Sequence, residues 1–176
     1  MELKVKIKKL REDAILPTNA KPGDAGMDLT AVEMRYDTEK DCFIYHTGLA
    51  VELPKGYAMF LYPRSSNFKT ECYMTNHVGI IDSGYRGEIL VTYKDRTCQK
   101  FVKAFNTLLA TVNTALQRLG LVKHNNKFFV MDCPPYEVGD RIAQAVIMPY
   151  PEVIFEETDE LSESERGTGG HGSTGK

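Results

Sequence analysis

Five short stretches carry side chains that could do chemistry. In NHVGIIDSGYRGEI, Asn76 to Ile89, the apolar residues Val78, Ile80 and Ile81 surround Gly79 and run into Asp82. Ser83, Gly84 and Gly87 follow with turn chemistry, so the stretch predicts a strand, a tight hairpin and a second strand. A carboxylate at that lip could face a water while the backbone offers hydrogen bonds to a flat polar ligand; it could equally cap a turn. YPRSS brings Arg64, Ser65 and Ser66 together at a strand end, a set suited to phosphate oxygens but also common in surface loops. PGDAGMDLTA sets Asp28 among small residues, and GDRIAQAVI sends Arg141 and Gln144 out of an apolar strand, with Arg141 equally able to serve as a structural ion-pair partner.

The fifth stretch is the end of the chain, ERGTGGHGSTGK. Glycine loses more backbone entropy on ordering than any other residue, so such a tail is mobile unless a ligand or partner holds it. One reading is a disordered terminus. The other is an anion wrap, in which glycines let successive N–H groups converge on phosphate while Arg166, Ser173, Thr174 and Lys176 add donors. GTGGHGST nearly fits a nucleotide phosphate loop, but Ser173 stands where the lysine belongs and no helix follows to receive the phosphate, so that reading fails.

The elements that must position these residues read as β. The runs CFIYH, LAVEL, YAMFLY and EILVTY are separated by PTNAKPGDAG, LPKG and DSGYRG, and the pattern returns in KFFVMD and RIAQAVIMPY. Many short strands at close spacing argue for an all-β barrel or sandwich. The amino terminus alternates Leu3, Val5 and Ile7 with lysines, which is strand periodicity. KFVKAFNTLLATVNTALQRLG differs: Phe101, Val102, Phe105, Leu108, Leu109, Val112, Leu116 and Leu119 fall on one face of a helix that Gly120 can stop. It reads as one amphipathic helix inserted, with its flanks, at about residues 95 to 133. From FEETDELSESERG onward the chain is acidic and then glycine-rich, as a solvated arm would be.

A chain of 176 residues suits one domain with its own core. Its net charge of −2 gives no general pull toward nucleic acid. No apolar run approaches the ~20 residues of a membrane span. Cys42, Cys72, Cys98 and Cys133 form no CxxC pair, which argues against structural zinc and for reduced thiols in a cytoplasmic protein.

Taken in order, AGMDL, PRSS, GIIDSGYRGEI, GDRIAQ and RGTGGHGSTG resemble the five motifs of the trimeric dUTP pyrophosphatases, and the resemblance covers nearly the whole chain outside the inserted helix. It implies a distorted jelly-roll β-barrel over residues 1–160, a flexible arm over 161–176, and a homotrimer with shared active sites. It implies cleavage of dUTP to dUMP and pyrophosphate with Mg²⁺. Asp82 matches the aspartate that activates the attacking water, and a carboxylate needs no tuning to be ionised at neutral pH. Asp28 matches the residue that reaches the metal's water shell. Asn76 and the backbone of Gly79, Ile80 and Ile81 would read uracil, and Tyr85 would exclude a 2′-hydroxyl. Arg64, Ser65, Ser66 and Gln144 would bind phosphate oxygens. The tail would cross to a neighbour's site, bringing Arg166, Gly172, Ser173 and Thr174 to the triphosphate and His171 to the base, where the family usually has phenylalanine.

Two rival readings remain. The dCTP deaminases share the fold but place a catalytic glutamate where this chain has Thr92, and they lack this tail. A regulatory protein could use the nucleotide-gated lid, or the inserted helix, to engage a protein partner; a helix stripe packed on its own barrel or on a sister subunit is the plainer alternative.

Overall fold

The structure, a computed structural model, describes residues 2–95, 108, 111, 112, 114, 134–165, 167 and 168. These are organised as eleven strands: β1 (Lys6–Lys9), β2 (Thr18–Asn19), β3 (Met27–Thr30), β4 (Glu33–Asp37), β5 (Cys42–His46), β6 (Leu49–Glu52), β7 (Tyr57–Tyr62), β8 (Cys72–Met74), β9 (Gly79–Ile81), β10 (Leu90–Asp95) and β11 (Arg141–Pro149). A five-residue 3-10 turn, Ser65–Lys69, lies between β7 and β8. The architecture is all-β, with every described pairing antiparallel.

The strands form a five-stranded sheet in the order β2-β3-β11-β7-β9, a four-stranded sheet β4-β5-β10-β8, and the pair β1-β6. One core lies among them. Leu29, Met59, Leu61, Ile142 and Ala145 come from the larger sheet, and Phe43, Tyr45, Met74, Val91 and Tyr93 from the smaller. β11 lies at the centre of the larger sheet, so the chain on both sides of residues 96–133 builds one core.

Two expectations change. The Asp82 turn does not join a hairpin, because β9 pairs with β7 while β10 pairs with β5 and β8 in the other sheet. The chain is drawn across after the turn: Glu88 accepts from Gly48 N–H at 2.7 Å and pairs with His46 Nδ1 at 2.9 Å, and Ile89 N–H donates to Leu49 C=O. The amino-terminal strand is shorter than its alternation suggests, and Ile7 on it remains 37 % exposed. The strand β4, EMRYD, which the sequence reading does not mark, alternates Met34 and Tyr36, both packed on the core, with Glu33, Arg35 and Asp37, and pairs along its length with β5.

The expected inserted helix lies mostly outside the described residues, and no complete helix is described there. Leu108, Thr111, Val112 and Thr114 are described, all helical and exposed. The KFFVMD strand is also outside. After Pro149 the chain leaves the sheets, and residues 151–165 are exposed throughout. Among the described residues no helix is long and apolar enough to cross a membrane.

Candidate functional site

Asp28, Gln144 and Arg64 converge on one end of the larger sheet. Gln144 on β11 stands opposite Asp28 on β3 and opposite Tyr62 on β7, and Arg64 follows two residues after Tyr62. A register shift between Arg141 and Ala143 inserts Ile142 as an extra residue. Such a bulge re-aims side chains: Ile142 and Ala143 both enter the core, while Arg141 and Gln144 do not.

The electrostatics of this cluster are explicit. Arg64 Nε donates to Asp28 Oδ1 at 2.8 Å and Arg141 Nη1 to Asp28 Oδ2 at 3.0 Å. Asp28 is 8 % exposed, so the two guanidinium groups, more than bulk water, compensate its charge. Two cations against one carboxylate leave one net positive charge beside the Gln144 amide, an environment that attracts an anion. Arg141, open at the sequence level between outward display and ion pairing, pairs with Asp28. A Cβ on Gly26 would press Gln144 at 3.3 Å, which keeps the β3 backbone close to that amide.

Ser65 and Ser66 open the 3-10 turn, and Ser66 Oγ accepts from Arg64 Nη1 at 3.3 Å. The arginine and the hydroxyls thus form one donor-rich corner next to Asp28. Tyr136, which the sequence analysis did not single out, reaches this turn: its Oη donates to Asn67 Oδ1 at 3.1 Å. The PPYEVGD stretch holding it reads only as a turn.

Asp82, Tyr85 and the uracil-reading backbone form a second group. β9 is an edge strand, so alternate N–H and C=O groups of Gly79–Ile81 point away from β7. Gly79 is buried, and a Cβ there would meet Leu61 at 3.1 Å. Asn76 is exposed just before His77, which adopts a left-handed φ of 59° and kinks the chain between β8 and β9. Asp82 is exposed and its C=O accepts from Tyr85 N–H at 3.0 Å. The Tyr85 ring folds back over Gly87, with Oη donating to Glu88 C=O at 2.9 Å. Arg86 Nη1 staples the turn to Ser83 and Tyr85 carbonyls.

Asp82 and Arg64 stand apart within one chain. Ile81 pairs with Met59, five residues before Arg64, which at ~3.3 Å per residue sets the Asp82 turn on the order of 15 Å from Arg64. Arg166, His171, Gly172, Ser173 and Thr174 lie outside the described residues.

No cluster of three or more histidine, cysteine or acidic side chains occurs among the described residues, so they offer no ready-made metal cage. The donor set fits a dication that arrives with phosphates: each Asp28 oxygen has a second lone pair free for a metal-bound water, while Arg64 and Arg141 would repel a bare ion.

The dUTPase family profile matches residues 12–111. The chain is similar to the deoxyuridine 5′-triphosphate nucleotidohydrolase of Thermobifida fusca, 38 % identical over 174 residues covering 98 % of this chain and 79 % of that protein. It is 37 % identical over 176 residues to the corresponding protein of Clostridium tetani, covering 99 % of each. Among solved structures it resembles the dUTPase of Staphylococcus bacteriophage 80alpha bound to dUPNHPP, with a TM-score of 0.67, 24 % identity and 98 % of both chains covered.

Proposed function

The chain belongs to the dUTPase family, and from that premise we propose how its residues divide the hydrolysis of dUTP to dUMP and pyrophosphate. The observation that carries the proposal is the cationic corner built on Asp28, with Arg64, Arg141, the Ser66 hydroxyl and Gln144 around one carboxylate. Arg64, Ser65, Ser66 and Gln144 hold phosphate oxygens there. Asn76 and the outward backbone of Gly79–Ile81 read the uracil edge, and Tyr85 lies against the deoxyribose.

Asp82 orients a water and accepts its proton as the water oxygen bonds to the α-phosphorus. The bond from that phosphorus to the bridging oxygen breaks, and pyrophosphate leaves with the electron pair. Positioning and charge neutralisation supply most of the rate in phosphoryl chemistry. Asp28 would hold Mg²⁺ through water, and the ion would supply further charge neutralisation.

The separation of Asp82 from Arg64 supports a site completed by a second copy, and hence a homotrimer of jelly-roll barrels with shared active sites. So does the arm: Ile154 and Phe155 are 88 % and 93 % exposed, which an isolated chain does not favour. In this assembly the arm crosses to a neighbour and Arg166, His171, Gly172, Ser173 and Thr174 close over the triphosphate. The inserted segment, about 95–133, lies outside the motifs and is an add-on that a protein partner could engage. The deaminase alternative is disfavoured by Thr92, which is engaged in a hydroxyl–hydroxyl hydrogen bond with Thr75. With Cys42 and Cys72 both free and buried, the protein suits the cytoplasm.

The test is a pyrophosphate-release screen over all deoxynucleoside triphosphates, run on wild type and Asp82→Asn. Wild type is expected to turn over dUTP alone, and the variant to lose at least about a hundredfold in kcat while binding dUTP. A variant retaining more than about a tenth of kcat, a cost under ~1.4 kcal/mol, removes Asp82 from the base role.

A further inference from the structure

The 3-10 turn Ser65–Lys69 carries the phosphate donors, yet it has no side-chain cap at its start and no buried residue of its own. Turns of this kind are short and poorly hydrogen-bonded, so an isolated one does not hold its side chains still. Asn67 compensates. Its N–H donates to Arg64 C=O at 2.9 Å, and its C=O accepts from Thr70 N–H at 3.0 Å and Thr70 Oγ1 at 2.9 Å. Its side chain bonds outward: Nδ2 donates to Cys72 C=O at 3.0 Å, and Oδ1 accepts from Tyr136 Oη at 3.1 Å.

Tyr136 is anchored much more firmly than the turn. Its ring packs edge-on against Tyr45 at 6.1 Å and against Tyr93 at 5.1 Å between centroids. Its backbone N–H donates to Tyr45 Oη at 3.1 Å, and its C=O accepts from the same hydroxyl at 2.9 Å. Tyr45 and Tyr93 are fully buried, and Tyr93 Oη donates to Ile142 C=O at 2.8 Å, on the strand that carries Gln144.

We propose that Tyr136 and Asn67 are positioning residues for this reaction: through one hydrogen bond they tie the Arg64–Ser66 corner to the tyrosine core and to β11, so that the phosphate donors are aligned before the triphosphate arrives. The inference rests on the reading of Arg64, Ser65 and Ser66 as the phosphate seat. Preorganisation of this kind lowers the ordering cost of binding. Burial pushes the Tyr136 phenol up from its ordinary range, which keeps the hydroxyl protonated, and able to donate, through neutral pH.

The test uses the full-length protein with dUTP and with deoxyuridine, which lacks every phosphate. Tyr136→Phe keeps the ring and its packing and removes only Oη. It is expected to raise KM for dUTP about fivefold, the worth of one neutral hydrogen bond, with kcat within twofold and inhibition by deoxyuridine unchanged. Asn67→Ala should raise KM further, and the double variant should be no worse than Asn67→Ala alone. An unchanged dUTP KM in Tyr136→Phe, an equal weakening of deoxyuridine, or full additivity in the double variant would each overturn the positioning role. Arg64→Ala separates the two levels. If it leaves KM for dUTP unchanged, the phosphate-seat reading falls and the inference with it; if it raises KM while Tyr136→Phe does not, only the inference falls.

Discussion

Arg64, placed just past β7, donates its Nε to Asp28 Oδ1 on β3 at 2.8 Å, across the width of the intervening strand β11. The pair fixes the guanidinium at the sheet surface. Arg141 takes the other carboxylate oxygen at 3.0 Å, so a single acid organises two cations.

Asp28→Asn should therefore act on both stability and turnover. Breaking a buried pair by removing one partner costs ~3–5 kcal/mol, and here, with Arg141 half exposed, about 2 kcal/mol is expected. Urea denaturation measures it. In the same variant kcat/KM for dUTP should fall at least about tenfold, ~1.4 kcal/mol, and half-maximal rate should need more Mg²⁺. An unchanged Mg²⁺ dependence would free Asp28 from any metal role.

Gly87→Ala tests the proposed contact of Tyr85 with the sugar. An added Cβ would meet Cζ of Tyr85 at 2.6 Å, forcing a ring that is 42 % exposed to swing aside and leave the Glu88 carbonyl. Because the displaced group is the far end of a side chain, the melting temperature should hardly move. Discrimination against UTP should drop about tenfold, within the ~1–3 kcal/mol of a lost pocket contact. Unaltered dUTP/UTP selectivity would show that Tyr85 does not judge the ribose.

Subunit complementation tests the proposal of a shared site. Asp82→Asn mixed with a chain truncated before Arg166 should regain activity after subunit exchange, although each parent is nearly inactive. Truncation alone should raise KM, and His171→Ala should do so by about 5- to 150-fold if the imidazole stacks on uracil at ~1–3 kcal/mol. No recovery after verified exchange would mean that the tail serves its own chain.

Alkaline stability follows from the buried thiols Cys42 and Cys72, both raised by burial and Cys72 the more strongly. Burial is the main cause that pushes Cys72 up to about 11 from a reference of 9.0. A folded value above the unfolded one means that the stabilisation is fully present below pH 9 and is lost as pH rises from 9 toward 11. One such group gives a slope approaching ~1.4 kcal/mol per pH unit. Tyr45, Tyr93 and Tyr136, also raised by burial, add to the loss only above pH 10. Denaturant titrations at pH 8, 9 and 10 should show Cys72→Ala flattening the first part of the fall; a parallel fall in both proteins would assign it elsewhere.

The strands CFIYH, LAVEL, YAMFLY and RIAQAVIMPY were legible because buried strands are apolar runs bounded by turn residues. EMRYD was not, since its three charged residues outnumber Met34 and Tyr36 and so short an alternation is a weak signal beside the pairing with β5 that fixes its place. The turn after Asp82 was legible as a turn but not as a crossover between sheets. Nothing local to DSGYRG says which strand will capture Ile89; Glu88, held by His46 and Gly48, decides that from about 40 residues away.

The sequence by itself determined the chemistry available: an aspartate at a glycine turn, Arg-Ser-Ser at a strand end, an aspartate among small residues, and a glycine-rich cationic tail. Residue type and short spacing are local properties, and they suffice to mark groups that can hold phosphate or move a proton. Only the tertiary structure decided which of them meet. It placed Asp28 between Arg64 and Arg141, brought Tyr136 to Asn67 across 69 positions of sequence, and kept Asp82 away from Arg64 in the same chain. Those outcomes depend on strand register and sheet order, which are settled by the packing of a shared core and so cannot be read from any one stretch of residues.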